Sequence, residues 1–147
     1  MRMLFLAASL LAAGLVHAAP NCSIDLKGDD AMKFDKAEVT VSASCKKITI
    51  NLAHTGKMPV AAMGHNVVIT AADDMQAVAT AGMSAGVAAN YVPADDKRVI
   101  AHTSLVGGGA STSTTFAGSQ LKAGGNYEFF CSFPGHYALM KGKLIVQ

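Results

Sequence analysis

The residues best suited to do chemistry lie in one ten-residue stretch near the C-terminus. It contains a thiol, an imidazole and a thioether, as Cys131, His136 and Met140. Pro134 and Gly135 predict a turn between the cysteine and the histidine, so the three side chains can converge on one point. A thiolate, an imidazole and a weak thioether suit an ion that cycles between Cu(I) and Cu(II).

A copper site of this kind needs a second histidine. We expect it to be His65, which stands at the mouth of a strand-like run beginning at Asn66. Each residue alone has an ordinary explanation, because a lone cysteine or methionine is usually a core residue and a lone histidine a loop residue. Their close spacing in one loop favours a metal site.

Three segments resemble the copper-binding parts of the azurins, which are cupredoxins. They are Phe130–His136 (FCSFPGH), Ala138–Gly142 (ALMKG) and Met63–Asn66 (MGHN). The resemblance extends from about Cys22 to Val146. It implies one type 1 (blue) copper ion per chain and a role in moving single electrons.

The resemblance assigns a role to each residue of the predicted site. His65, Cys131 and His136 would be the three strong ligands, and Met140 the weak axial one. The backbone carbonyl of Gly64 would take the opposite axial position, since a residue without Cβ allows a close approach.

Two residues are predicted to support the ligands. The Asn66 side chain could connect the His65 and Cys131 loops, and a backbone N–H near Phe133 could reach the Cys131 sulfur and tune the reduction potential. The resemblance also implies an apolar docking patch around the exposed edge of His136. Its members would be Met32, Met58, Met63, Met83, Phe133, Pro134, Ala138 and Leu139.

Closed coordination favours an electron carrier over an enzyme, because catalytic metals keep an open position. The partners implied are c-type cytochromes and periplasmic reductases or dehydrogenases. Copper storage or delivery is the alternative function. An enzyme with Cys131 as nucleophile and His136 as base is not favoured, because no oxyanion-hole signature accompanies them. A structural zinc site is not favoured either, because a thioether is a poor zinc ligand. His54 is expected to be structural and His102 a surface residue.

The N-terminus has the pattern of a secretory signal. Arg2 is followed by an apolar or weakly polar run and then by small residues ending at Ala18. This predicts a signal peptide at residues 1–18, a single domain at residues 19–147 and a periplasmic location. The formal charge of +2 falls to +1 without Arg2, which argues against broad binding to nucleic acid.

The three cysteines fit a secreted chain with one disulfide. Cys22 and Cys45 both lie near the ends of N-terminal strands and are the expected pair, as the resemblance also implies. Cys131 is then unpaired, and an unpaired thiol in an oxidising compartment is a liability unless a metal holds it as thiolate.

The hydrophobic pattern predicts an all-β Greek-key sandwich or barrel, cupredoxin-like, with about eight strands and one short helical insert near residues 74–86. The predicted strands are 22–26, 38–41, 47–52, 66–70, 98–102, 111–116, 126–130 and 143–146. Gly28 is assigned to a turn, and residues 107–109 to a hairpin turn or mobile loop. Azurins commonly have a buried tryptophan where this chain has Val67, and a smaller side chain requires compensation by its neighbours.

Overall fold

The computed structural model describes residues 19–147, so the predicted signal peptide lies outside the described residues. The strands are β1 Ser23–Gly28, β2 Glu38–Val41, β3 Lys47–His54, β4 Val68–Ala71, β5 Ala101–His102, β6 Ser111–Ala117, β7 Tyr127–Phe130 and β8 Lys141–Val146. The helices are α1 Val60–Met63 and α2 Met75–Ala85. Within residues 19–147, no helix has both the length and the apolar character needed to cross a membrane.

The strands form two mixed sheets that face each other. One sheet has the order β1-β3-β6, and the other has the order β2-β8-β7-β4-β5. The β1–β3 and β2–β8 pairs are parallel and the remaining pairs are antiparallel. The predicted eight-stranded sandwich is confirmed, and the sheets do not close into a barrel.

The core between the sheets follows from alternation along the strands. In β3, Ile48, Ile50 and Leu52 point inward and are almost completely buried, as a period of two requires. Phe129 of β7 contributes the largest side chain from the other sheet, and Val67 is fully buried in the same cluster.

The α2 helix covers the outer face of the five-stranded sheet and confirms the predicted insert to within one residue at each end. Its buried stripe of Met75, Val78, Ala79 and Gly82 packs on this face, whereas Met83 is 42% exposed. Glycine is required at position 82 because a Cβ there would lie 2.1 Å from the Tyr91 carbonyl oxygen.

Two local predictions were wrong, and one of two alternatives for residues 107–109 is excluded. The run predicted as a strand at residues 98–102 pairs only at Ala101–His102, because Arg98 lies in a turn where its guanidinium binds Asp96. Residues 107–109 do not form a hairpin, since they connect β5 of one sheet to β6 of the other. The β1 strand extends through Gly28, which was assigned to a turn.

The predicted disulfide is present. Cys22 at the start of β1 is bonded to Cys45, just before β3, across a sequence separation of 23 residues. Within residues 19–147, Cys131 is the free cysteine, and it is buried.

Candidate metal centre

Strand register brings the predicted ligands together. In the antiparallel β4–β7 pair, Val68 is opposite Phe130, so the segment before β4 lies beside the segment after β7. These two segments carry His65 and Cys131. Register between β7 and β8 likewise puts Met140 next to Cys131, whose backbone N–H donates to the Met140 carbonyl at 3.0 Å.

Two imidazoles and one thiol converge in the interior of this end of the molecule. The Cys131 Sγ lies 3.9 Å from Nδ1 of His65 and 3.7 Å from Nδ1 of His136. The three atoms all lie within 4.8 Å of one another, and the three residues are buried. This spacing allows one ion to contact all three at ordinary metal–ligand distances of about 2.0 to 2.3 Å.

His65 is held by contacts on several sides. Its Nε2 donates to the Asp29 carbonyl oxygen at 2.8 Å, which leaves the Nδ1 lone pair directed at the sulfur. Its ring stacks on the ring of His54 with centroids 4.1 Å apart. Its backbone exchanges two 2.9 Å hydrogen bonds with Val106. The imidazole is therefore oriented before any metal binds.

Pro134 and Gly135 form the predicted tight turn, and this turn places His136 at the site. Gly135 has a φ of +83°, a left-handed conformation that favours glycine. The His136 N–H donates to the Phe133 carbonyl at 2.9 Å, and the two rings pack with centroids 4.6 Å apart. Only 3% of His136 is exposed, compared with 0% of His65, Cys131 and Met140, so it is the least buried of the four.

Asn66 connects the two ligand-bearing loops through its side chain. Its Oδ1 accepts from the Ser132 backbone N–H at 2.9 Å, and its Nδ2 donates to the Ser132 hydroxyl and to the Asn90 carbonyl, each at 2.8 Å. Because Asn66 is fully buried, these bonds have no competition from water.

Burial is the main cause of the pKa shifts in the metal-free site. It raises the pKa of the Cys131 thiol to about 12, while the backbone N–H groups of Asn66 and Phe133 act in the opposite direction. Burial also lowers the pKa of His65, and burial with the neighbouring histidines lowers that of His136 to about 4. The imidazoles are therefore neutral at pH 7, as metal ligands must be, and ion binding has to release the thiol proton.

Two further groups flank the convergence point. The Gly64 carbonyl oxygen lies 3.8 Å from the Cys131 sulfur. Glycine is required here by space, because a Cβ on it would lie 2.7 Å from the Val60 carbonyl oxygen. The Met140 side chain is fully buried. A soft sulfur, two imidazoles and a thioether together form the donor set that suits copper.

The other two histidines within residues 19–147, His54 and His102, differ from the two at the site. His54 is buried, but Gly56 N–H donates to its Nδ1 at 3.0 Å and its Nε2 donates to the Met63 carbonyl at 2.8 Å, so neither nitrogen is available to a metal. His102 is exposed.

Sequence reasoning missed the supporting roles of Asp29 and Asn90, which act through backbone carbonyls that no side-chain motif reveals.

The predicted docking patch is apolar and partly exposed. Leu139 is 70% exposed, and Met58 and Met83 are 40% and 42% exposed. Pro134 and Ala138 are also exposed, whereas Met32 and Met63 are half-buried. Phe133 is buried beneath this surface.

Comparison with known proteins gives a consistent result. The family profile described as "Copper binding proteins, plastocyanin/azurin family" matches residues 20–147. The chain is 57% identical to Azurin-1 of Alcaligenes xylosoxydans xylosoxydans over 84% of its own length and 95% of the relative's. It is 51% identical to Azurin of Pseudomonas aeruginosa over 95% and 93% of the two chains.

Replacing Asn66 tests the connection between the loops. In Asn66→Ala the buried Ser132 N–H loses its partner, so the free energy of unfolding should fall by about 2 to 4 kcal/mol. The measurement is urea denaturation of metal-free protein. Asn51→Ala is the control, since this half-buried residue bonds Asp25 and Ser113 away from the site and should cost about 1 kcal/mol. Equal losses in the two variants would contradict a special role for Asn66.

The buried histidines make the stability of the metal-free protein depend on pH. Between a folded pKa of about 4 and an unfolded pKa of 6.5, the unfolded chain protonates His136 and the folded chain does not. Stability is therefore full above pH 6.5 and should decrease by up to about 3 kcal/mol as the pH falls to 4. Denaturation across this range should show a shallower slope for His136→Asn. Parallel slopes in the two proteins would show that His136 does not contribute.

Proposed function

Because this chain belongs to the plastocyanin/azurin family of copper-binding proteins, we propose that it carries single electrons through one type 1 copper ion. The convergence of two neutral imidazoles and a thiol in a buried pocket is the observation that carries this proposal. His65, Cys131 and His136 would be the strong ligands. Met140 and the Gly64 carbonyl would be the weak axial groups.

Bound copper would supply a one-electron couple, and the side chains of this protein would control its surroundings. Asp29 orients His65 through its carbonyl, and Asn66 fixes the distance between the two loops. A ligand set held in one geometry reorganises little when the charge of the ion changes. Burial of the ligands excludes solvent, so no position is offered to a water molecule or a substrate. These features favour a carrier over an enzyme.

The exposed apolar surface offers a route for electrons. The edge of His136 is the part of the site nearest solvent, and Leu139 follows it closely in the chain with most of its side chain exposed. A partner that covers this patch would pack on apolar side chains close to the imidazole. We propose c-type cytochromes and periplasmic reductases or dehydrogenases as the partners.

A periplasmic location completes the proposal. The disulfide between Cys22 and Cys45 fits an oxidising compartment. The N-terminal pattern predicts a signal peptide at residues 1–18 and leaves residues 19–147 as one domain.

Removing the thiol provides the direct test of the site. Copper-loaded wild-type protein should show an intense visible band from charge transfer between thiolate and Cu(II), and Cys131→Ser should lose it completely because no sulfur remains next to both imidazoles. The Cys22→Ser/Cys45→Ser double variant is the matched control and should keep the band. A Cys131→Ser variant that stays blue would contradict the assignment, and rapid loss of copper from the wild type would favour delivery over electron transfer.

A charge in the docking patch tests the proposed route. Leu139→Glu places a carboxylate where a partner must pack, so electron exchange with a c-type cytochrome should slow about tenfold, equivalent to about 1.4 kcal/mol of docking free energy. Stopped-flow absorbance at the copper band measures the rate. Ala123→Glu adds the same charge on an exposed turn before β7, at the end of that strand opposite to Cys131, and should leave the rate nearly unchanged. Equal slowing by both variants would point to net charge and contradict a docking role for Leu139.

A further inference from the structure

Gly28, at the end of β1, lies against two of the proposed copper ligands. A Cβ atom placed on it with ideal geometry would be 2.7 Å from Cδ2 of His65 and 2.7 Å from Cε of Met140. Non-bonded carbon atoms pack at about 3.5 to 4.0 Å. A Cβ therefore fits at this position only if both contacts lengthen, through movement of the two side chains or of β1.

The backbone of Gly28 does not itself require glycine. Its φ lies outside the left-handed region, and it pairs with His54 in the regular parallel register of β1 and β3. Its carbonyl accepts from the Thr55 N–H at 2.8 Å and from the Thr55 hydroxyl at 2.9 Å. An alanine would adopt this conformation without strain. Glycine is therefore needed here because a Cβ would occupy the space beside the proposed ligands.

The two neighbours differ in their freedom to move. His65 is fixed by the Asp29 carbonyl, by stacking on His54 and by its backbone bonds to Val106. Cε of Met140 is the end of an unbranched, flexible side chain. An atom added at position 28 would therefore press on both side chains, and the thioether would move further than the imidazole.

We propose that Gly28 is a positioning residue that sets how closely the Met140 thioether approaches the metal. This inference rests on the proposed function, because it concerns the axial group of the same site. The axial ligand tunes the reduction potential of such centres. Electron donation from the thioether stabilises the oxidised ion more than the reduced one, so moving the sulfur away should raise the potential.

The first experiment compares two glycine-to-alanine variants loaded with copper. Gly28→Ala should keep its visible band, with a shifted absorption maximum, an altered copper hyperfine splitting and a higher reduction potential than the wild type. Gly125→Ala is the matched control, because its Cβ would lie 2.3 Å from the Tyr127 ring. Gly125 precedes β7, at the end of that strand opposite to Cys131. It should lower stability and leave the spectrum and the potential unchanged.

The second experiment tests whether the effect passes through Met140. Met140→Val removes the sulfur and Cε but keeps an apolar side chain, and in this background Gly28→Ala should produce no further rise in potential. A rise that persists at full size would overturn the proposal. If Gly28→Ala alone fails to fold, the Gly28→Ala/Met140→Val double variant should regain stability, because the contact with Cε is gone and only that with Cδ2 of His65 remains. A double variant with no gain in stability over Gly28→Ala would also overturn it.

The outcomes separate this inference from the function on which it rests. Wild-type protein that binds copper without a blue band would contradict the proposed function. Blue wild-type protein together with a Gly28→Ala variant of identical spectrum and potential would contradict only the role of Gly28.

Discussion

The antiparallel pairing of β4 with β7 is the constraint on which the site depends. Val68 opposite Phe130 fixes where the chain before β4 meets the chain after β7. Side chains alternate between the two faces of a strand, so a slip of one residue would turn every inward side chain of β7 outward. Phe129 is fully buried between the sheets and Phe130 is fully buried under α2, so a slip that moved Glu128 into the place of Phe129 would put a carboxylate in the core. The hydrophobic core thus sets the distance between His65 and Cys131.

The same burial that orients the proposed ligands keeps the metal-free site uncharged. Burial raises the pKa of the thiol to about 12 and lowers the pKa of both histidines, so all three groups are uncharged at pH 7. The sheet and the hydrogen bonds of Asp29 and Asn66 maintain this arrangement. Copper would replace the thiol proton and satisfy three buried groups at once. Ligands arranged by the fold in this way need little movement when an electron arrives or leaves.

The sequence predicted the features that depend on local pattern. Alternation gave eight strands, helical spacing gave the α2 insert, and Cys131-x4-His136-x3-Met140 gave one loop of the site. Errors occurred where a tertiary contact overrides the pattern. Residues 98–100 have strand character, yet Arg98 lies in a turn where its side chain binds Asp96, and regular pairing begins only at Ala101. The glycine run at 107–109 has the composition of a hairpin, yet it crosses between sheets, which is decided by packing of the whole sandwich.

Residues that act through space are the ones that sequence reasoning cannot assign. His54 and His65 stack on each other at the same end of the molecule, and only the backbone partners of His54 exclude it as a ligand. Gly28 is a clearer case, because a glycine followed by two aspartates has the composition of a turn. Its importance comes from His65 and Met140, which lie far along the chain and reach it only in the folded sandwich. A ligand can be recognised from its own chemistry, but a residue whose function is to leave space can be recognised only from its neighbours.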